Sequence, residues 1–147
     1  MVMKQLKQLS LFVENRPGAL SEVCRVLKNA GVNIYAMSVA DTSEFGILRM
    51  LLDNIELGNK ALSEAGFVTR ETNVLAISVP DCAGGLSGVF EITDKLGLSV
   101  EYMYAITFGR KDKAVIVFRF DDQQTAGERL AACGVELLSA ADIAAGK

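Results

Sequence analysis

Histidine is absent from the 147 residues, which removes both the commonest general base and the commonest metal ligand. Cysteine is scarce: Cys24, Cys82 and Cys133 stand far apart, odd in number and without CxxC spacing. That excludes a disulfide framework and a structural zinc site. Basic residues are not in excess, with 15 Lys and Arg against 18 Asp and Glu and a formal charge of −3, so general attraction to nucleic acid or an acidic membrane is missing. The acidic residues are scattered without metal-loop spacing. Long hydrophobic runs are also missing. Met1-Val-Met-Lys-Gln-Leu-Lys7 holds no apolar h-region, and Leu9–Val13 is too short to span a bilayer. The expectation is a soluble, cytoplasmic protein with no cofactor, metal, nucleic acid or membrane partner.

What is present is a globular composition, 50% hydrophobic and 22% charged, and an internal repeat. Asn15-Arg-Pro-Gly-Ala-Leu20 aligns with Asp81-Cys-Ala-Gly-Gly-Leu86 at a shift of 66. At the same shift Gly31-Val-Asn-Ile34 meets Gly97-Leu-Ser-Val100, and Met37 meets Met103. Asp53 meets Asp121, Leu62 meets Leu130 and Ala65-Gly66-Phe67 meets Cys133-Gly134-Val135 at a shift of 68. Two extra residues in the second copy are therefore expected, most simply in the polar loop Gly109-Arg-Lys-Asp-Lys113. The copies divide the chain into residues 1–72 and 73–147.

Each copy reads as βαββαβ. In the first, the strand Leu9–Val13 is followed by a helix with apolar positions Leu20, Val23, Cys24, Leu27 and Ala30, ended by Gly31. Strands Val32–Val39 and Ile47–Leu52 flank a turn at Asp41–Glu44, a helix covers Glu56–Ala65, and Phe67–Thr72 closes the copy. The second predicts strand Val74–Val79, helix Gly85–Leu96, strands Leu98–Thr107 and Ala114–Phe120, helix Gln124–Cys133 and strand Val135–Leu138. Ser139-Ala-Ala-Asp142 has capping-box spacing and predicts a short terminal helix. The fold class is α+β, two tandem ferredoxin-like domains with antiparallel sheets and helices on one face. Ile47–Leu52 and Ala114–Phe120 are too uniformly apolar for a sheet with one wet face. Domains of this size are also marginal alone, so packing of copy on copy and chain on chain is expected, with a homodimer as the assembly.

The segment that could carry chemistry is the turn into the first helix of each copy. Asn15 and Asp81 have N-cap chemistry, Pro17 suits a helix start, and Gly18, Gly84 and Gly85 keep the backbone bare. A helix N-terminus offers unpaired N–H groups and a partial positive charge, which suits a carboxylate. Ordinary capping explains the same residues.

The whole pattern resembles the ACT domain, a regulatory module that binds amino acids. The resemblance rests on Asn15–Leu20, the helix to Ala30, Gly31-Val-Asn-Ile34 and the βαββαβ order, repeated from Asp81, and it covers nearly the whole chain. The first turn fits closely. The second departs, with Ala83 for Pro17 and Gly84-Gly85 for Gly18-Ala19, and is expected to be looser. The resemblance implies a non-catalytic sensor that holds an amino acid at an interface between ACT-like domains. The turns would supply Asn15, Arg16, Pro17, Gly18, Ala19 and Leu20, and Asp81, Cys82, Ala83, Gly84, Gly85 and Leu86. A neighbouring second strand would close the site with Asn33, Ile34 and Tyr35 or Ser99, Val100 and Glu101. Asn15 or Asp81 would accept from the ligand ammonium while the helix N-terminus holds the carboxylate. A metabolic enzyme or regulator would be the partner that reads the ligand state.

Two other classes stand beside this one: a small enzyme using Cys82 or carboxylates, and a purely structural dimerisation module. Cys82 lies in the second turn and is the thiol such an enzyme would use, but no base accompanies it. Cys24 and Cys133 read as small core residues. Phe118-Arg-Phe120 has the aromatic spacing of an RNA-binding strand, without the basic surface that such a function needs. Arg110-Lys-Asp-Lys113 reads as a mixed-charge hairpin turn.

Overall fold

The structure is a computed structural model and describes residues 5–41, 44–106 and 111–146. Two elements are lost in part from view: the turn at Asp41–Glu44 and the loop Gly109–Lys113 lie partly outside these residues, as does Thr107.

Twelve elements follow one another. They are β1 (Leu6–Glu14), α1 (Ala19–Asn29), β2 (Ile34–Asp41), β3 (Phe45–Leu52), α2 (Ile55–Glu64), β4 (Thr69–Pro80), α3 (Gly85–Leu96), β5 (Val100–Ala105), β6 (Lys113–Phe120), α4 (Gln123–Ala132), β7 (Glu136–Leu138) and α5 (Ala140–Ala145). The predicted order holds throughout, with one correction. The strands expected at Phe67–Thr72 and Val74–Val79 are a single strand, β4. No Gly or Pro interrupts Phe67 to Val79, so nothing bends the chain between them. The chain forms two compact units, residues 7–72 and residues 73–146 with Gln5 and Leu6.

In the first unit β1 is central. It pairs antiparallel with β3, Leu9 opposite Met50 and Glu14 opposite Phe45, and β3 pairs with the edge strand β2. On its other side β1 neighbours β4, where the Ser10 hydroxyl donates to the carbonyl of Arg70. Alternation along β1 turns Leu9, Leu11 and Val13 towards the helices, with Leu48 and Met50 of β3 beside them. Helix α1 answers with Ala19, Val23 and Leu27, spaced four apart on one stripe, and α2 with Leu62. Each large side chain so buried contributes roughly 1.5–3 kcal/mol.

The second unit repeats the plan around the latter part of β4, which pairs with β6 on one side and β7 on the other, β6 pairing in turn with β5. Its core under α3 and α4 holds Leu75, Ile77, Val79, Phe118, Phe120 and Leu130. Val74 to Val79 are buried without interruption, so both faces of β4 are covered there. The first unit differs, because Phe12 on β1 is 62% exposed. The shift between copies is 66 up to β5 and 68 from β6, so the two extra residues lie between Ala105 and Lys113.

The ends of the elements repeat as well. Val32 N–H donates to Leu27 O beyond the end of α1, and Leu98 N–H donates to Thr93 O beyond the end of α3. Asp53 accepts from the backbone N–H of Asn33, and Asp121 from that of Ser99, both at 2.9 Å. The predicted capping box is present: Ser139 and Asp142 bond each other's backbone N–H groups at the start of α5. The core reading of two cysteines is overturned, since Cys24 and Cys133 are exposed. Cys24 lies one residue beyond Val23 and is rotated about 100° off the buried stripe. Cys133 is the C-cap of α4, past the last helical turn.

Candidate functional site

Both candidate turns enter their helices in the same way. Arg16 N–H donates to Glu14 O and Ala19 N–H to Arg16 O; Cys82 N–H donates to Pro80 O and Gly85 N–H to Cys82 O. The residue in the cap position is Gly18 in one copy and Gly84 in the other, with φ of +87° and +85°. Only glycine takes that left-handed backbone without strain. Because the cap residue is a glycine, no side-chain cap bond is made at either helix among the described residues, which corrects the N-cap position expected for Asn15 and Asp81. Each sits three residues ahead of the glycine, and its backbone N–H is committed across the sheet, to Glu44 O and Asp112 O. Pro17 likewise precedes the cap and does not open the helix. By contrast α2, α4 and α5 are capped by Asn54, Asp122 and Ser139. The first turns of α1 and α3 therefore keep N–H groups with no side-chain acceptor.

The second turn differs from the first in its packing. A Cβ added at Gly85 would lie 2.0 Å from Pro80 O, whereas the matching residue Ala19 is accommodated and buried. Backbone approaches backbone more closely in the second copy. Asp81, Cys82, Ala83 and Gly84 are exposed and Leu86 is half-buried; in the first copy Asn15, Arg16, Pro17, Gly18 and Leu20 are exposed.

The proposed closing residues are not brought to the turns within either unit. Glu14, before the first turn, pairs with Phe45 at the start of β3, while Ile34 pairs with Leu52 at its end. Seven residues of strand separate them, roughly 23 Å. Pro80 pairs with Lys113 and Val100 with Phe120 in the same manner. Ile34, Tyr35 and Val100 are half-buried, Asn33 and Ser99 exposed. Glu101 is engaged in an ion pair with Arg119 at 3.4 Å.

What each turn does face is a crevice. In the first unit it measures about 440 Å³ and is bounded by the end of β1 (Phe12–Glu14), the start of α1 (Arg16, Ala19, Glu22), Phe45 and the connection 65–68. In the second unit a crevice of about 320 Å³ occupies the corresponding place, between Pro80, the start of α3 (Gly85, Gly88), Lys113 and the connection 134–136. Sequence reasoning missed this wall. Ala65-Gly66-Phe67 and Cys133-Gly134-Val135 were legible as repeat landmarks, but only the pairing of β1 with β4, and of β4 with β7, sets them beside the turns.

The two crevices differ in chemistry. Arg16 holds Glu14 at 2.9 Å and Glu22 at 3.2 Å, and these carboxylates, Glu14 foremost, raise its pKa above the ordinary guanidinium value. The matching second-copy residues are Pro80, Cys82 and Gly88, which carry no charge. Ser78, which matches Phe12, is buried, and among the described residues its hydroxyl has no hydrogen-bond partner. It alternates with Ile77 and Val79 and so turns away from the helix-side core. Among the described residues no group of His, Cys, Asp and Glu could hold a metal ion, and no helix is long and apolar enough to cross a membrane.

Residues 3–145 match the family described as the ACT domain pair. This chain belongs to that family. An ACT pair is a regulatory module, and its two βαββαβ domains are the two copies described above. Protein BT0572 from Bacteroides thetaiotaomicron is similar along almost the whole length, with 35% identity, 96% of each chain covered and a TM-score of 0.89. The regulatory subunits of aspartate kinase from Thermus thermophilus and Thermus flavus share the ACT-pair fold, with TM-scores of 0.63 and 0.60. Each is 13% identical, with 90% of this chain and 92% of theirs covered. No curated protein sequence matches this ACT pair.

Proposed function

We propose that this ACT pair is a non-catalytic sensor that binds a small molecule, an amino acid, at its β1–α1 and β4–α3 turns and passes the bound state to a partner. The observation that carries the reading is the repeated turn. In each copy a left-handed glycine opens a helix that no side chain caps, at the mouth of a crevice. Unclaimed N–H groups at a helix start favour a carboxylate. The site residues are Asn15–Leu20 and Asp81–Leu86. In a homodimer, the start of β2 or β5 of a second chain (residues 33–35 or 99–101) would close the ligand in. The exposed apolar residues Phe12, Phe45 and Val68 would serve chain-on-chain packing.

Two structures that share the fold support a partner class. The aspartate kinase structures are of regulatory subunits, and a metabolic enzyme controlled by ligand occupancy is the corresponding partner here, in the cytoplasm. A ligand that binds one arrangement better than another shifts the population towards it. The test is thermal unfolding of the full chain against each common amino acid at millimolar concentration. At about 100 times its dissociation constant a ligand stabilises the folded form by roughly 2.7 kcal/mol, expected to raise the midpoint by about 5–10 °C in a chain of this size. No shift with any amino acid would sink the reading.

A further inference from the structure

We propose that Gln5 and Gln123 form a clasp that straps the segment ahead of β1 onto the start of α4, and that releasing it opens this end of the second unit while the first stays folded. The proposal stands independently of the sensor reading.

Three observations carry it. First, the two residues bind each other twice. Gln5 Nε2 donates to the backbone carbonyl of Gln123 at 3.1 Å, and Gln123 Nε2 donates to Gln5 Oε1 at 3.0 Å. Gln123 Oε1 also accepts the backbone N–H of Phe120 at 2.9 Å. One side chain thus joins the end of β6, the start of α4 and a residue 118 positions away in sequence.

Second, Gln123 stands where an amide is costly. It is 6% exposed, and a buried amide without its partner carries the cost of leaving water uncompensated. The matching residue of the first copy is Ile55, packed against that unit's core. Capping does not account for the exchange of an aliphatic side chain for an amide, because Asp122 already accepts from Thr125 N–H at the start of α4. The residue matching Gln5 is Glu71, and Ile55 has no polar side-chain atom with which to answer it. Third, Gln5 and Leu6 belong to the second unit, although the strand that they lead into belongs to the first. Leu6 is 5% exposed, so an apolar anchor follows the polar one. Freed of Gln5, the Gln123 amide is drawn towards water and away from Phe120, while the pairing of β1 with β3 is untouched. Parts of a fold that open separately are distinguished by amide exchange.

Native-state hydrogen exchange of the full chain tests the clasp. Gln5→Ala should speed exchange of the Phe120 N–H, and of the Ala126 N–H that donates to Asp122 O, about tenfold or more. Amides of α1 and α2 should stay within about twofold. Gln124→Ala, an exposed neighbour of the clasp on α4, should change neither. In a Gln123→Ile background, which installs the first copy's residue, Gln5→Ala should leave Ala126 as it is. Gln5→Glu separates hydrogen bonding from packing. Its protonated carboxyl keeps a donor and an acceptor, whereas the ionised form has no donor and faces the Gln123 carbonyl. Protection of Phe120, measured against the unaltered chain at each pH, should be nearly restored at about pH 4 and fall to the Gln5→Ala level at about pH 7. Unchanged protection of Phe120 and Ala126 in Gln5→Ala overturns the proposal. Equal loss of protection in both units, or an undiminished effect of Gln5→Ala in the Gln123→Ile background, overturns it as well.

Discussion

The two copies spend their aromatic residues differently. In the first, Phe12, Phe45 and Phe67 line the crevice, and the matching positions of the second hold Ser78, Lys113 and Val135. In the second, Phe90, Phe118 and Phe120 lie in the core, Phe118 stacked on Phe120 at 5.4 Å between ring centres and edge-on to Phe90 at 6.3 Å. The matching positions of the first hold Cys24, Met50 and Leu52. One backbone plan thus supports a copy with an aromatic, charged mouth and a copy with an aromatic interior. Duplication allows this division because a ring contributes to stability where it is buried and to recognition where it is left open.

The largest effect that could break the comparison is on stability. Phe118→Ala should cost about 3–5 kcal/mol, whereas Phe12→Ala should stay within roughly 0.5 kcal/mol. Urea unfolding of the two variants checks this, and similar losses would mean that the first copy's rings are structural after all. A second contrast lies at the helix starts. Gly85→Ala drives a methyl group against Pro80 O and should cost about 1–3 kcal/mol, while Ala19→Gly in the other copy should cost about 0.5–1 kcal/mol. A neutral Gly85→Ala would show that the second turn can open. The smallest effect concerns pH. The N–H of Ser99, then that of Asp122, hold the Asp121 carboxyl below its ordinary value. A lowered folded-state pKa contributes stability that is fully present above the unfolded value, about 3.9, and is lost as pH falls through the folded one. Asp121→Asn should therefore flatten the acid limb of a melting-temperature profile below about pH 4, and an unchanged limb would remove Asp121 from the account.

The repeat, the element order and the α+β class were legible because they rest on periodicity and on punctuation by glycine. The turns were legible as turns. Their capping was not, because Asn15 and Asp81 have the chemistry of a cap while the backbone that follows demands a glycine in that place. Cys24 shows the resolution of pattern reading: a stripe of apolar residues at helical spacing places a side chain only to within about one residue's rotation. The crevice was hidden for a different reason. One of its walls, the 65–68 connection, lies about 50 residues from the β1–α1 turn in sequence, and strand pairing alone joins them. Glu14 and Glu22 flank the turn and carry no motif of their own.

The division between the copies falls inside β4, between Thr72 and Asn73, and not in a loop. Neither copy can then be inherited, excised or exchanged as a cassette by cutting an exposed linker. Any break there leaves one half without the neighbour of β1 and the other without part of its central strand.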